Sequence, residues 1–214
     1  MRVRWLGLIC AMPFALRAQA ASPAGAPQLT PPLKAGVERL ADSVRAFGLP
    51  TDPLFAKAAE GALKGADDQR IMVAVRRLVR DLSDAKAALG EGATADELQA
   101  GASALHAGVA LELVARLGRA AREGQQPVRP VGSSGGRGAS GRLVMPLVTL
   151  ADMVARNVSP AAAVASIEAL VNRGAADAQF LALRSDVERD IAAGERPDVA
   201  MQRRSASIVK RLEK

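Results

Sequence analysis

The sequence predicts an all-α protein, an antiparallel array of short helices joined by Gly-containing turns and repeated along the chain. Three observations carry this. Apolar residues recur at spacings of 3 and 4. The stripes break at joints of one kind, a Gly or Asn, then an apolar residue, then a small polar cap. The joints also recur at a steady interval, since 65 − 48 gives 17, 108 − 92 gives 16 and 174 − 157 gives 17. The joint residues are Gly48, Gly65, Gly92, Gly108, Asn157 and Gly174, with a looser joint at Gly194. A unit of this size is a helix of roughly 20 Å and a tight turn, which must stack on neighbours to persist in water.

The first element is expected to be removed. Arg2 and Arg4 precede a mostly apolar run from Trp5 to Leu16, and Ala18-Gln19-Ala20 is a small-x-small site, so residues 1–20 read as a signal peptide. The run is too short for a stable anchor. Attachment through Cys10 is disfavoured, because Ile9 stands where a lipoprotein signal requires a small residue. The leader takes with it the only Cys and the only Trp, leaving no disulfide to stabilise the rest. It also takes Arg2, Arg4 and Arg17, so the 29 basic residues become 26 against 22 acidic ones, a net charge of +4. That modest excess does not point to nucleic acid.

Residues 21–32, rich in Pro, Ala and Gly, read as a flexible tether, and an N-terminal helical domain spanning 33–122 follows. Leu33, Val37, Leu40, Val44 and Phe47 form its first stripe. Thr51-Asp52-Pro53 starts a second helix, in which Gly61 costs about 1 kcal/mol of helix propensity, a cost understandable where a neighbouring helix approaches closely. The longest helix is expected over 68–89, with Ile71, Val75, Leu78, Leu82, Ala85 and Leu89 inward and Arg76, Arg77 and Arg80 outward. Arg77 with Asp81 and Arg80 with Asp84 have ion-pair spacing. Thr94 and Glu97 have capping-box spacing before a short helix with Leu98, Ala102 and Leu105. Leu111, Val114 and Leu117 mark the next.

Periodicity stops over 123–142, a Gly/Ser/Pro-rich linker by composition. A second helical segment, 143–194, carries an apolar helix that tolerates Pro146, then stripes through Ala163–Val171 and Phe180–Ile191. Ser159-Pro160 provides a cap and a proline suited to the first helical position. In the basic tail, 195–214, a short helix with Val199, Ile208 and Leu212 is the most that is expected.

Catalytic chemistry is sparse. His106 is the only histidine, which excludes a histidine metal cluster; on this reading a Ser-His-Asp triad is excluded too, and His106 is a polar cap at a helix end. Asp67-Asp68 and Asp96-Glu97 read as first-turn acids facing helix dipoles. Gly132-Ser133-Ser134-Gly135-Gly136 matches G-x-S-x-G but lacks the strand and helix that a nucleophile elbow needs. Ser83-Asp84-Ala85-Lys86 matches S-x-x-K without the accompanying K-T-G and S-D-N strings. Phe47, Phe55 and Phe180 all sit on apolar stripes, so no platform for stacking bases is expected.

The chain resembles helical-repeat scaffolds in general, without a tetratricopeptide or ankyrin signature. The functional expectation is an exported, periplasmic or secreted, non-catalytic protein of the cell envelope that binds a protein or peptide. No cofactor, metal or nucleic acid is expected. The interaction residues are Arg76, Arg77 and Arg80, with basic groups also at Arg203-Arg204 and Lys210-Arg211. The alternatives are an envelope enzyme with a carboxylate or Ser/Lys site and a peripheral protein making weak contact with an anionic membrane surface.

Overall fold

The computed structural model describes residues 29–123 and 141–213. The signal peptide, most of the tether, nearly all of the 123–142 linker and its G-x-S-x-G string lie outside the described residues. Among those described there are nine helices and no strand: α1 Pro31–Arg45, α2 Asp52–Leu63, α3 Asp68–Leu89, α4 Ala95–His106, α5 Leu111–Glu123, α6 Val144–Ala155, α7 Pro160–Asn172, α8 Asp177–Ala192 and α9 Pro197–Leu212. The tether gives way to α1 already at Pro31, and the tail forms a full helix of 16 residues. No described helix is long and apolar enough to cross a membrane.

Several helices start as their caps dictate. The Asp67 side chain accepts from the Arg70 amide at 2.8 Å. Thr94 and Glu97 form a reciprocal box, the Glu97 amide donating to Thr94 Oγ1 at 3.2 Å and the Thr94 amide to Glu97 Oε2 at 2.9 Å. Ser159 differs from expectation. Its side chain caps nothing, and its amide instead donates to Asp198 Oδ1 of α9 at 2.7 Å, so the start of α7 is held from another helix.

At the helix ends φ is positive at Gly48, Gly65, Gly108 and Gly174, and at Asn157, where it is 63°. The following apolar residue turns back as anticipated. The amides of Leu49, Val109 and Val158 donate to Val44, Ala104 and Met153, and all three side chains are buried. The expectation fails at Gly92. The residue that reverses the chain after α3 is Gly90, with φ 84° and ψ 174°, a region essentially confined to glycine. The two glycines flank Glu91, and an interval counted in helix-sized steps does not separate them.

The core forms two hydrophobic clusters. One joins α1 and α2 to the inner faces of α3 and α4 through Val37, Leu54, Ile71, Val75, Leu82 and Leu98. The other runs from Leu89 of α3 through Val114, Leu117, Leu150, Ile167, Phe180 and Val187 to Met201 and Ile208 of α9. The division therefore passes through α3 and α4, not through 123–142, and the two helical segments share the larger cluster. Helix α4 lies between α3 and α6. Leu98 and Ala102 belong to the first cluster, Ala100 and Ala104 to the second.

Close approach requires small residues. A Cβ on Gly61 would lie 2.7 Å from Ile71 Cγ1, which accounts for a glycine inside α2. A Cβ on Gly101 or on Gly118 would lie 3.1 Å from a Leu89 methyl. Phe47 departs from its stripe: it sits past the end of α1, 71% exposed. Phe180 is buried as read.

Two stability predictions follow from these positions. Gly90→Ala should destabilise the fold by about 1–3 kcal/mol through backbone strain alone, because nothing lies within 4 Å of the added Cβ. Gly92→Ala should change stability by under about 0.5 kcal/mol. Denaturant unfolding of both variants checks this, and equal midpoints would refute the assignment. Thr149 of α6 is fully buried and its Oγ1 has no hydrogen-bond partner among the described residues. Thr149→Val, which keeps the shape and removes the orphaned hydroxyl, should raise stability by about 1 kcal/mol in the same experiment.

Candidate functional site between α2, α3 and α4

Three amphipathic helices meet here with small side chains on their facing turns, and the result is an open cleft of about 330 Å³. Helix α2 supplies Pro53, Ala56, Lys57 and Glu60, at helical spacing along one face. Helix α3 supplies Ala74, Leu78 and Asp81, and α4 supplies Gln99, Ala102, Ser103 and His106. Pro53 and Ala102 are buried and Leu78 is half-buried, which makes an apolar floor under polar walls.

The walls are internally paired. Lys57 Nζ donates to Glu60 Oε2 at 3.0 Å, and Lys64 reaches the other oxygen. The hydrogen bonds from Lys64 and Lys57 hold the Glu60 carboxyl down at about 2, so it is ionised throughout the physiological range. Across the cleft His106 Nδ1 lies 3.2 Å from Asp81 Oδ2. A carboxylate can only accept, so the proton of this contact sits on Nδ1 and the other ring nitrogen remains available.

His106 is thus a cleft residue facing α3, not a cap on its own helix. Excluding a Ser-His-Asp triad because there is a single histidine also does not hold, since one imidazole suffices and an aspartate stands beside it. What the geometry withholds is the nucleophile. Ser103 Oγ donates to the Gln99 carbonyl at 2.9 Å, and no hydrogen bond joins it to His106. The S-x-x-K pair is occupied elsewhere: Ser83 Oγ donates to the Val79 carbonyl at 3.0 Å, and Lys86 Nζ donates to the Phe47 carbonyl at 2.8 Å and pairs with Glu91. Among the described residues no group of three or more His, Asp or Glu side chains is placed to hold a metal.

Arg76, Arg77 and Arg80 are exposed on α3 and do not line the cleft. Arg77 stands nearest to it, one helical turn from both Ala74 and Asp81. Neither expected ion pair forms. Asp81 turns to His106, and none of the three arginines has a carboxylate within 4 Å among the described residues. An exposed i,i+4 pair is worth only a few tenths of a kcal/mol, too little to hold Asp81 away from a better-placed partner.

The tail arginines behave in the opposite way. Arg204 grips Asp190 of α8 with two nitrogens, Nη2 at 2.6 Å, and Arg203 adds a third contact at 2.8 Å while also meeting Glu195. The basic pair is consumed in fastening α9 to α8. The Arg204 hydrogen bonds, assisted by Arg203, hold the buried Asp190 carboxyl well below the usual carboxylate range.

Two signals in the sequence led elsewhere. Lys57, Glu60 and Lys64 have the i,i+3 and i,i+4 spacing of a helical ion-pair network. Asp81 and His106, separated by 25 positions, meet only because α4 packs on α3. Comparison with known proteins gives no match: no family model, no curated protein and no solved structure aligns with the chain.

The Asp190 clamp has a pH signature. A carboxyl lowered in the folded state contributes stability that is fully present above its unfolded value, near 3.8, and is lost as pH falls through the folded value. Asp190→Asn should therefore be less stable than the parent at neutral pH and should lose less stability on going from about pH 4 to about pH 2. Urea unfolding across that range checks it; parallel losses in the two proteins would contradict the clamp.

Proposed function

We propose that this chain is an exported, non-catalytic protein of the cell envelope that binds a protein or peptide in the cleft between α2, α3 and α4. The observation that carries the reading is the cleft itself. It is open, floored by apolar side chains, and its own charged groups are already paired, so it suits a guest better than a reaction. The leader-like residues 1–20 support the envelope location. The short connections between consecutive helices, with positive φ at Gly48, Gly65, Gly108, Asn157 and Gly174, support an antiparallel, repeat-like array. In such arrays grooves between helices are the usual binding surfaces.

One observation favours a second reading. The Asp81–His106 pair has the geometry of an oriented general base, and an envelope enzyme would use it. The membrane-surface reading draws on the helix formed by the basic tail and on Lys210 and Arg211, which pair with no acid among the described residues, but Arg203 and Arg204 are committed to Asp190 of α8.

The test uses the protein without residues 1–20 as bait in an envelope extract, alongside a variant carrying Arg76→Glu, Arg77→Glu and Arg80→Glu. A specific partner retained by the parent and lost from the variant is the expected result. Turnover of an envelope substrate, abolished by His106→Ala, with no partner captured, would replace this reading by the enzyme.

A further inference from the structure

The charge balance around the cleft indicates what kind of guest it takes. Every carboxylate lining it already has a partner, Glu60 in the ammonium groups of Lys57 and Lys64, and Asp81 in the His106 ring. The cations beside it have none among the described residues. Arg76, Arg77 and Arg80 crowd two turns of one exposed helix face, and the one carboxylate of that face, Asp84, forms no ion pair within 4 Å. Elsewhere on the described chain Arg45, Arg70, Arg116, Arg156, Arg173, Arg184, Arg189, Arg203 and Arg204 are paired with acids, whereas Arg39, Arg119, Arg122, Arg142, Arg196 and Arg211 are not; what sets α3 apart among the described residues is that three such arginines fall within two turns of one helix. Val73, 58% exposed, lies one turn from Arg76 and Arg77 and adds apolar surface to the same ridge.

We infer that the guest is an acidic amphipathic peptide segment, with carboxylates about one helical turn apart received by Arg77 and Arg80 and an adjacent apolar side chain lodged in the cleft over Leu78. This rests on the peptide-binding reading above. A guanidinium forms two parallel hydrogen bonds to a carboxylate, and Arg77 and Arg80 are offset along α3 by about one turn, roughly 5 Å. A free anion would satisfy the arginines and leave the apolar floor unused. A lipid surface would meet the outward ridge and leave the recessed cleft empty. A peptide carrying both chemistries fills both. Desolvating the pair at the cleft edge gives specificity, and the arginines beyond it raise the encounter rate in a salt-dependent way.

The experiment is fluorescence anisotropy with two labelled synthetic peptides of equal length, one alternating leucine and glutamate at helical spacing, the other with glutamine at every glutamate. The parent, an Arg77→Glu/Arg80→Glu variant and an Ala56→Trp variant are titrated with each. Ala56 is exposed at the cleft wall, so the indole fills the cleft without entering the core. Circular dichroism melting confirms that each variant is folded. The expected result is binding of the glutamate peptide alone, weakened at least about tenfold by either variant and by raised salt. Equal binding of both peptides, lost only in Ala56→Trp, would overturn the acidic guest and leave the cleft reading standing. Binding lost in the arginine variant but indifferent to Ala56→Trp would overturn the cleft reading itself. Failure to bind either peptide, with arginine-dependent binding to phosphatidylglycerol vesicles, would assign the ridge to a membrane and overturn both.

Discussion

The structure depends on how closely α4 can approach its neighbours. It has one helix packed on each side, α3 and α6, and buries Ala100, Gly101, Ala102 and Ala104 between them. Leu89 fills the space this leaves. It is 2% exposed, with one methyl against the position of Gly101 and another against that of Gly118. A buried leucine of this kind contributes on the order of 2–5 kcal/mol, counting the void left by its removal. A methyl group at either glycine would force Leu89 to give way by a few tenths of an ångström, and the two hydrophobic clusters meet at that point. With a core dominated by alanine, leucine and valine, and almost no aromatic mass, close helix contact replaces the bulk that larger side chains supply elsewhere.

Much of this was legible locally. The extent of α3 was readable from its apolar stripe and the Asp67 cap, which act within a few positions, whereas the reversal that ends it lies at Gly90, two residues before the Gly92 that the joint pattern picks out. The Thr94 and Glu97 box was legible for the same reason. Gly101 and Gly118 were not. Inside a helix a glycine reads as a local weakness, and only the partner surface turns it into a contact. The tail was underestimated because its charges looked solvated when read in isolation, whereas Asp190 lies on another helix. Asp81 illustrates the same limit at the site: four residues from Arg77 in sequence, it faces an imidazole 25 positions away.

The arginines thus divide into two populations with different physics. Arg203 and Arg204 converge on one largely covered carboxylate, where three charge-assisted hydrogen bonds share a single acceptor group and the loss of Asp190 would remove all three at once. Arg76, Arg77 and Arg80 carry the same group in water, where solvent and salt screen it, and contribute little to the fold. What distinguishes them is whether a neighbouring helix presents an acid at the matching turn. A basic stretch read from sequence therefore identifies a surface only after the pairing partners have been counted.

Glu97 is bound from both sides. Oε2 accepts from the Thr94 amide at the start of α4, and Oε1 accepts from the Leu143 amide, at 3.3 Å, just before α6. One buried carboxylate therefore ties together two points of the backbone that lie on opposite sides of residues 124–140, and the larger hydrophobic cluster spans the same divide. Covalent continuity is then a minor part of what keeps the halves together. A chain cleaved anywhere between 123 and 141 would remain one particle held by its shared interior, and the two pieces expressed apart have the means to reassemble.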